Sequence, residues 1–364
     1  MPGNEGIVVK RDDLYRVNDR LLERKQRIEE VLREKEKGLF RLEEKIYLYD
    51  LTGSYFEGGS EGNSKARYGY SRDGRGDCKQ VVVGLVIDEE GFVKGHEVYG
   101  GDRTDITTLK DTVERLRERM GDKSRQPTVA VDRGMVSEEN LGVIKGMGMK
   151  YIVAARHTER ERKFDEFEGM EMKEIEQKIG RIKEKHRRVA RYYEIETKES
   201  HGIISLHWKS NEADEGKYDG TYLLRTNRKD LTDHEIWSLY VMLTRVKRAF
   251  RNLKSNLGLR PIYHQKECRA GAHIFISVLA YHLLHAIEHA LREKGETRSW
   301  NTINHVLQTH QVVTVVLPDA DGIHVHHVRV ATEVEAEQGE IYKKLEIDQK
   351  GLKKKRVTFK KAEL

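Results

Sequence analysis

Two aspartates occupy positions in the sequence where their side chains could carry out metal-dependent chemistry. Asp50 lies in an apolar stretch with strand character, and Asp132 follows the short apolar run TVAV. A carboxylate in a buried strand is costly unless it is paired, hydrogen-bonded or bound to metal. Two adjacent carboxylates can bind Mg²⁺ or Mn²⁺, and two such ions about 3.5–4 Å apart support phosphoryl transfer. The alternative is that both are strand-end acids whose oxygens accept hydrogen bonds from backbone N–H groups.

A second stretch, residues 243–265, concentrates positive charge. It reads LTRVKRAFRNLKSNLGLRPIYHQ and holds six Lys or Arg residues and no Asp or Glu. On a helix, positions 247, 251 and 254 share one face. A helix holds such side chains in register for phosphate groups without selecting a base sequence. The predicted phosphate-binding residues are Arg245, Arg248, Arg251, Lys254 and Arg260.

The elements that must position these residues follow from the hydrophobic pattern. Segments with strand character are residues 45–58, 79–88, 91–100, 126–135 and 150–156. Helices are predicted from Asp105 to about Met120 and from Ser137 onward. The tight turn at Gly91 predicts antiparallel pairing, and the later crossovers predict parallel pairing. The order β-β-β-α-β-α-β therefore predicts an α/β fold with a mixed sheet between helices, in which the first and fourth strands bring the two acids together.

The segments outside this predicted sheet are mostly polar, apart from one apolar helix. Amphipathic helices are predicted within residues 11–45, and a charged, helix-like run covers 157–200. One long helix is predicted over 231–258, begun by a capping box of Thr232 and Glu235. A mostly apolar helix over 270–295 follows. Two strands and a flexible basic end, which contains KKKRVTFKK, complete the prediction.

Composition narrows the class of partner and the compartment. The net charge is +6 and the isoelectric point is about 9.0, which suits a polyanion such as DNA. Cys78 and Cys268 lie far apart and suggest neither a metal site nor a disulfide. The N-terminus lacks an apolar signal core, and no uninterrupted apolar run reaches the ~18 residues of a membrane helix. These features favour a cytoplasmic protein over a secreted or membrane protein.

Several long blocks together resemble a prokaryotic insertion-sequence transposase of the DDE class, closest to the insertion-sequence-four family. The blocks are YDLTGSYFEG, KARYGYSRDGRGDCKQVVVGLVID, VDRGM and the segment from LTRVKRAFRNLKS to AYHLLH, and the resemblance covers roughly residues 46–345. It implies an RNase H-like fold, two Mg²⁺ or Mn²⁺ ions, and DNA cleavage and strand transfer at the ends of the element. It also implies that Asp50 and Asp132 are the first two catalytic, metal-binding acids, with metal binding weakened in this chain.

The third acid of that family belongs to a helical pattern of the form Y-(2)-R-(3)-E-(6)-K. Tyr240 and Lys254 match the first and last residues of this pattern, and we include Tyr240 among the predicted DNA-binding residues. Leu243 stands at the arginine position, and Lys247 stands at the glutamate position. An ammonium group cannot coordinate a divalent ion and repels one nearby. We therefore expect Lys247 to pair with the aspartates and to impair catalysis; Glu235 and Glu267 are the candidate substitutes for the missing acid.

The resemblance also implies a division of the chain. The expected parts are a helical N-terminal remnant (1–45), the first part of the catalytic domain (46–156), an insertion (157–230), the closing helices (231–295), and C-terminal strands with a basic tail (296–364). Relatives carry a longer N-terminal region that helps to grip transposon ends. End recognition is therefore in question for this chain.

The leading interpretation is a DDE transposase, impaired in this copy, that acts on transposon ends and target DNA and dimerises when assembled on DNA. It would be a cytoplasmic, nucleoid-associated prokaryotic protein with no membrane role. The alternative is a catalytically inactive, transposase-derived DNA-binding protein, and the third interpretation is an RNase H-like nuclease with another substrate. Metal sites at His282, His285 and His289 or at His324 and His326 are less favoured than ordinary structural histidines. Within the charged run, Lys185, Arg187, Arg188 and Arg191 are further candidates for DNA contact.

Overall fold

A six-stranded mixed sheet organises the molecule. The computed structural model describes residues 11–119, 126–154, 172–185, 190, 193–200, 203–210, 224–321, 323–348 and 355–360. The strands of the sheet are β1 (Ile46–Tyr55), β2 (Gln80–Asp88), β3 (Val93–Gly100), β4 (Thr128–Val131), β5 (Lys150–Ala154) and β8 (Leu224–Thr226). Their order is β3-β2-β1-β4-β5-β8. β1 runs antiparallel to β2 and parallel to β4, which is the predicted pairing of the first and fourth strands.

The described part of the chain also contains helices, and several of them cover the two faces of this sheet. In chain order they are α1 (Arg11–Glu23), α2 (Lys25–Phe40), α3 (Asp105–Arg119), α4 (Glu138–Gly146), α5 (Met172–Lys185), α6 (Asp233–Val241), α7 (Leu243–Ser255), α8 (Glu267–Glu293), α9 (Trp300–Leu307) and α10 (Ala336–Lys344). On one face Leu48 and Val83 pack with Phe250 of α7 and Ile274 of α8. On the other face the apolar side chains of α3 and α4 form a second core with Tyr49. The predicted α/β fold with a mixed, RNase H-like sheet flanked by helices is confirmed.

Smaller sheets lie outside this core. β6 (Tyr193–Ser200) and β7 (Ile203–Ser210) form a hairpin, and β9 (Val312–Pro318), β10 (His324–Ala331) and β11 (Lys355–Lys360) form an antiparallel sheet. Two local predictions are wrong here. Residues 193–200 are strand rather than helix, because β6 obtains its hydrogen bonds from β7. The basic end forms β11 rather than a flexible tail, because its backbone pairs with β10.

The insertion predicted over 157–230 is described only in parts. It contains α5 and the β6–β7 hairpin, and its final described strand, β8, pairs with β5 in the main sheet. Residues 224–226 therefore contribute to the catalytic-domain sheet. The domain boundaries otherwise stay predictions.

α2 and the segment that follows it are attached to the sheet edge through buried charges. The Lys94 ammonium is 3.0 Å from a carboxylate oxygen of Asp88 and 3.0 Å from one of Glu44, and its side chain is 1% exposed. His96 Nδ1 of β3 lies 2.7 Å from Glu29 Oε1 of α2. Such pairs contribute little net stability compared with apolar packing, but breaking one leaves an isolated buried charge.

Helix α8 has the length and apolar character of a membrane-crossing segment. About half of its most apolar part is buried, at 56%. Its inner face packs on the sheet through Ile274 and Val278. A core helix of a water-soluble domain has the same properties.

Candidate functional site

The two predicted acids are neighbours on adjacent strands. The parallel pairing of β1 with β4 ends with Tyr49 opposite Val131, and one further step along the same register reaches Asp50 and Asp132. Neighbouring strands lie about 4.8 Å apart. The topology predicted from the sequence therefore brings this acid pair, Asp50 and Asp132, together at the centre of the sheet.

Asp50 is the more buried of the two. It is 7% exposed, and Leu51 N donates a hydrogen bond of 2.8 Å to its Oδ1. Burial raises the pKa of Asp50 to about 6, since the charged form is poorly solvated there. The Leu51 N–H and the charges of Arg72 and Lys247 oppose this rise in pKa, while the Asp132 charge adds to it.

Asp132 is held by Lys247. The Lys247 Nζ donates a hydrogen bond of 3.0 Å to Asp132 Oδ2, and Arg133 N donates one of 2.7 Å to Oδ1. Partial burial favours the neutral acid, but the hydrogen bond and charge of Lys247 outweigh it, and the pKa of Asp132 lies below its ordinary value. The pKa of Lys247 is in turn raised by Asp132, against the effect of its own partial burial. Each aspartate thus accepts a backbone N–H, as the alternative interpretation expects, and Asp132 also binds an ammonium group.

The helical segment carrying Lys247 is divided, so the prediction of one helix over 231–258 is wrong. α6 ends at Val241 and α7 begins at Leu243, with Arg245 N donating to Met242 O across the junction. The predicted capping box of Thr232 and Glu235 is present at the start of α6. No Gly or Pro marks the break, and its physical cause is packing: α6 contacts β5, whereas α7 contacts β1. Tyr240 therefore lies on a different helix from Lys247, at the edge of the sheet core.

The predicted phosphate-binding residues differ in solvent exposure and in whether a carboxylate lies nearby. Arg251 is exposed, whereas Arg245 lies 3.7 Å from Glu90 and Arg248 lies 2.8 Å from Glu288.

Lys254 and Arg260 both pair with Asp73, Lys254 at 3.0 Å. The Lys254 side chain is only 11% exposed, and burial lowers its pKa in spite of Asp73. In this structure Lys254 anchors a loop, rather than presenting its ammonium to solvent.

Neither candidate substitute acid is free to complete a metal site. The Glu235 carboxylate accepts hydrogen bonds from the backbone and hydroxyl of Thr232. The Glu267 carboxylate accepts from Ser64 and pairs with Lys65 at 3.3 Å. Across the described residues, no three His, Cys, Asp or Glu side chains are grouped so as to hold a metal ion.

The donor set at the acid pair therefore does not fit two divalent ions. Two carboxylates are present, each with one oxygen already accepting a backbone N–H, and the third position holds a cation that a divalent ion would have to displace.

The loop between β1 and β2 contributes residues that sequence reasoning missed. Arg72 donates to Leu51 O and to Asp105 Oδ2, the latter at 2.7 Å, and so fixes the backbone next to Asp50. Leu51, Arg72, Asp105 and Gly134 are among the residues around an adjoining cavity of about 360 Å³. The stretch KARYGYSRDGRGDCK carried part of the resemblance, but nothing in its composition indicated that Arg72 would approach the acids.

The histidines have structural partners in the described part of the chain. His282 bonds to Glu36 at 2.6 Å, and His285 bonds to Glu90 O at 3.0 Å. Burial lowers the pKa of His285 to about 3, so this ring is neutral. His289 packs against the rings of Phe40 and Phe92. His324 and His326 bond to Asp321 and Asp319.

The candidates in the charged run cannot be placed. Arg187, Arg188 and Arg191 lie outside the described residues, as does the side chain of Lys185.

A mixed sheet in this order, with a pair of aspartates on adjacent central strands, defines an RNase H-like α/β domain. The family model described as a transposase DDE domain matches residues 41–283, and the chain belongs to this family. Among solved structures, it is similar to the piggyBac transposase in a cryo-EM synaptic complex with hairpin DNA, at 10% identity and a TM-score of 0.39. That match covers 72% of this chain and 51% of the other, so the chain spans about half the length of that protein. A search of curated proteins found no match.

Proposed function

We propose that this chain is an insertion-sequence transposase of the insertion-sequence-four type whose DNA-cleaving site is impaired by Lys247. The observation that carries the proposal is the 3.0 Å contact between Lys247 Nζ and Asp132 Oδ2. In an active site of this class a third carboxylate would stand at position 247. Here a cation stands there and neutralises one of the two remaining acids.

The charge balance explains why metal binding would be weak. A divalent ion at the acid pair would lie within a few ångström of the Lys247 ammonium, and like charges at that range repel by several kcal/mol at an effective dielectric constant of about 20. Lys247 can swing away, since its side chain is 56% exposed, but binding must then supply the cost of breaking the pair. We expect Mg²⁺ or Mn²⁺ to bind at the acid pair far more weakly than at a three-acid site.

The retained function in this proposal is DNA binding. The basic surface of α7, with Arg245, Arg248 and Arg251, lies on the helix that carries Lys247, and its charge suits phosphate groups. This supports a protein that holds DNA at the acid pair without cutting it efficiently. A dimer assembled on transposon ends and a prokaryotic nucleoid setting belong to the same proposal.

Restoring the acid tests the proposal directly. Lys247→Glu should gain Mg²⁺-dependent nicking of supercoiled DNA, while the wild-type protein and the uncharged control Lys247→Gln should stay at background. Adding Asp132→Asn to Lys247→Glu should abolish the gain, which would exclude a contaminating nuclease. Absence of any gain in Lys247→Glu would mean that position 247 is not what disables cleavage.

The second candidate is a transposase-derived protein whose only role is DNA binding. The same ammonium–carboxylate pair supports it, because a stable pair at the acids has a structural role that needs no metal. Calorimetry with Mn²⁺ separates the two candidates. An impaired enzyme should retain measurable binding that Asp50→Asn removes, whereas a protein selected only for DNA binding should show no heat that depends on Asp50.

A further inference from the structure

A basic groove, separate from the cavity beside Asp50, lies where α7, the end of α8 and the start of α9 meet. Residues of α7, the end of α8 and the start of α9 enclose about 720 Å³. We define the arginine groove by Arg248 and Arg251 of α7, Arg292 of α8, Arg298 of the connecting loop, and Trp300 at the first position of α9. Arg292, Arg298 and Trp300 have no role in the proposed cleavage site.

The lining of the groove carries excess positive charge. Its lining contains four guanidinium groups and two carboxylates, those of Glu288 and Glu296. Both carboxylates are buried at 5% exposure and already paired, Glu288 with Arg248 at 2.8 Å and Glu296 with Arg298 at 2.8 Å.

The two other arginines remain available to a ligand. Arg251 and Arg292 are exposed, and neither has a carboxylate partner within the part of the chain that the structure describes. Arg292 donates its Nε to the backbone oxygen of Glu288, which orients the guanidinium and leaves its terminal nitrogens for an anion. Within the described residues, the positive charge of the groove that no carboxylate neutralises is therefore that of Arg251 on α7 and Arg292 on α8.

An aromatic ring lines the same space. Trp300 is half-buried and packs against the small core of Leu291, Ile303 and Ile341, and its remaining surface faces the groove. Packing on one side fixes the ring, so a flat ligand could stack on it at little entropic cost. Fixed aromatic rings beside basic residues are the elements of sequence-tolerant single-strand binding sites.

We propose that the arginine groove binds a short segment of single-stranded DNA, with phosphates on Arg251 and Arg292 and a base stacked on Trp300. A duplex is disfavoured because its bases already stack on one another and cannot present a face to the indole. Arg251 follows Lys247 by one helical turn, a rise of about 6 Å along α7, so the groove opens close to the acid pair. The inference rests on the proposed function in one respect only, that the partner is DNA.

The test measures binding to wild-type full-length protein in EDTA, without any cleavage. The probe is a fluorescein-labelled oligothymidine of roughly ten nucleotides, compared by anisotropy with a duplex of equal length. Arg292→Gln and Trp300→Leu should each weaken single-strand binding about ten-fold and change duplex binding less than about two-fold. Arg329→Gln, an exposed arginine on the separate sheet of β10, is the matched control and should change neither.

A second measurement keeps the result independent of folding. Trp300→Phe retains a ring in the same packing position and should keep most of the single-strand affinity, while losing the quenching of indole emission that DNA causes in the wild type. No quenching that depends on Trp300, equal losses for single strand and duplex, or no single-strand binding by the wild type would each overturn the groove. Because these assays exclude metal, a failure of Lys247→Glu to nick DNA leaves their outcome unaffected.

Discussion

Reversing the charge at position 247 should destabilise the metal-free protein and make its stability respond to Mg²⁺. In the wild type, Lys247 Nζ lies 3.0 Å from Asp132, and the side chains of the pair are 56% and 36% exposed. Solvent screening limits an attraction between groups this exposed to about 0.5–1 kcal/mol. Lys247→Glu loses that attraction and gains a comparable repulsion, so we expect a loss of about 1–2 kcal/mol in EDTA.

The loss should depend on pH. The pKa of Asp50 is about 6 in the folded protein, and Lys247 is one of the charges that hold it down. A glutamate at position 247 would raise that pKa further, so the carboxylate of Asp50 becomes costlier to ionise in the folded state. For an acid with a raised folded pKa, the penalty is absent at pH 4 and grows as the pH passes through the folded pKa. The difference between Lys247→Glu and the wild type should therefore be larger at pH 8 than at pH 5.

Mg²⁺ should reverse the loss only where three carboxylates are present. A ligand at about ten times its dissociation constant adds about 1.4 kcal/mol to the stability of the folded state, which shifts the Tm by roughly 2 °C in a chain of 364 residues. Thermal unfolding followed by circular dichroism at pH 8, with EDTA or with about 10 mM MgCl₂, measures both effects. The wild type and Lys247→Gln should show almost no metal-dependent shift. The reasoning is refuted if Lys247→Glu is as stable as the wild type in EDTA, or if Mg²⁺ stabilises all three proteins equally.

Three further substitutions test buried charges at the site and elsewhere in the sheet. Asp73→Asn leaves Lys254 as a largely buried cation without its partner carboxylate, and urea unfolding should show a loss of about 3 kcal/mol that the added change Lys254→Met partly restores. Asp50→Asn removes an acid whose folded pKa of about 6 exceeds its ordinary value of 3.8. The substitution should therefore stabilise the protein by about 1–3 kcal/mol at pH 8 and by almost nothing near pH 4. Equal effects on stability at both pH values would contradict the argument that burial raises this pKa. Lys94→Met leaves Asp88 without its ammonium partner and should cost about 3–5 kcal/mol in guanidinium unfolding, while Lys94→Arg should cost less; no loss in Lys94→Met would show that the buried pair is dispensable.

The central fold could be predicted because its signals are local. Stretches with strand character marked β1 to β3, short apolar runs marked β4 and β5, and Ser137 caps α4 as expected. The chain order of these elements leaves few sheet topologies, which is why the adjacency of Asp50 and Asp132 followed from the sequence. The ammonium at position 247 was likewise visible in the sequence, and the structure brings it to Asp132.

Features that depend on distant packing could not be predicted. The break at Met242 has no helix-breaking residue and arises because α6 and α7 contact different strands. The residues of β8 were assigned to the insertion, and they join the main sheet because β5 offers them an open edge. β6 and β11 form because partner strands complete their hydrogen bonds. Lys254 fitted a helical face of phosphate-binding residues, but Asp73, far away in the sequence, withdraws it into an ion pair. The sequence shows which charged residues are present, whereas the tertiary structure determines which of them form ion pairs.

The buried charges that join α2 to the edge of the sheet bear on how a shortened protein could be produced. A fragment that starts at Ile46 would contain Lys94 and His96 but lack Glu44 and Glu29, their acidic partners. Lys94 would then keep only Asp88, His96 would lose the carboxylate that it contacts, and the edge strand would lose its cover. A soluble minimal fragment should therefore begin ahead of Lys25, and the apparently dispensable leading helices belong in any expression plasmid designed for crystallisation.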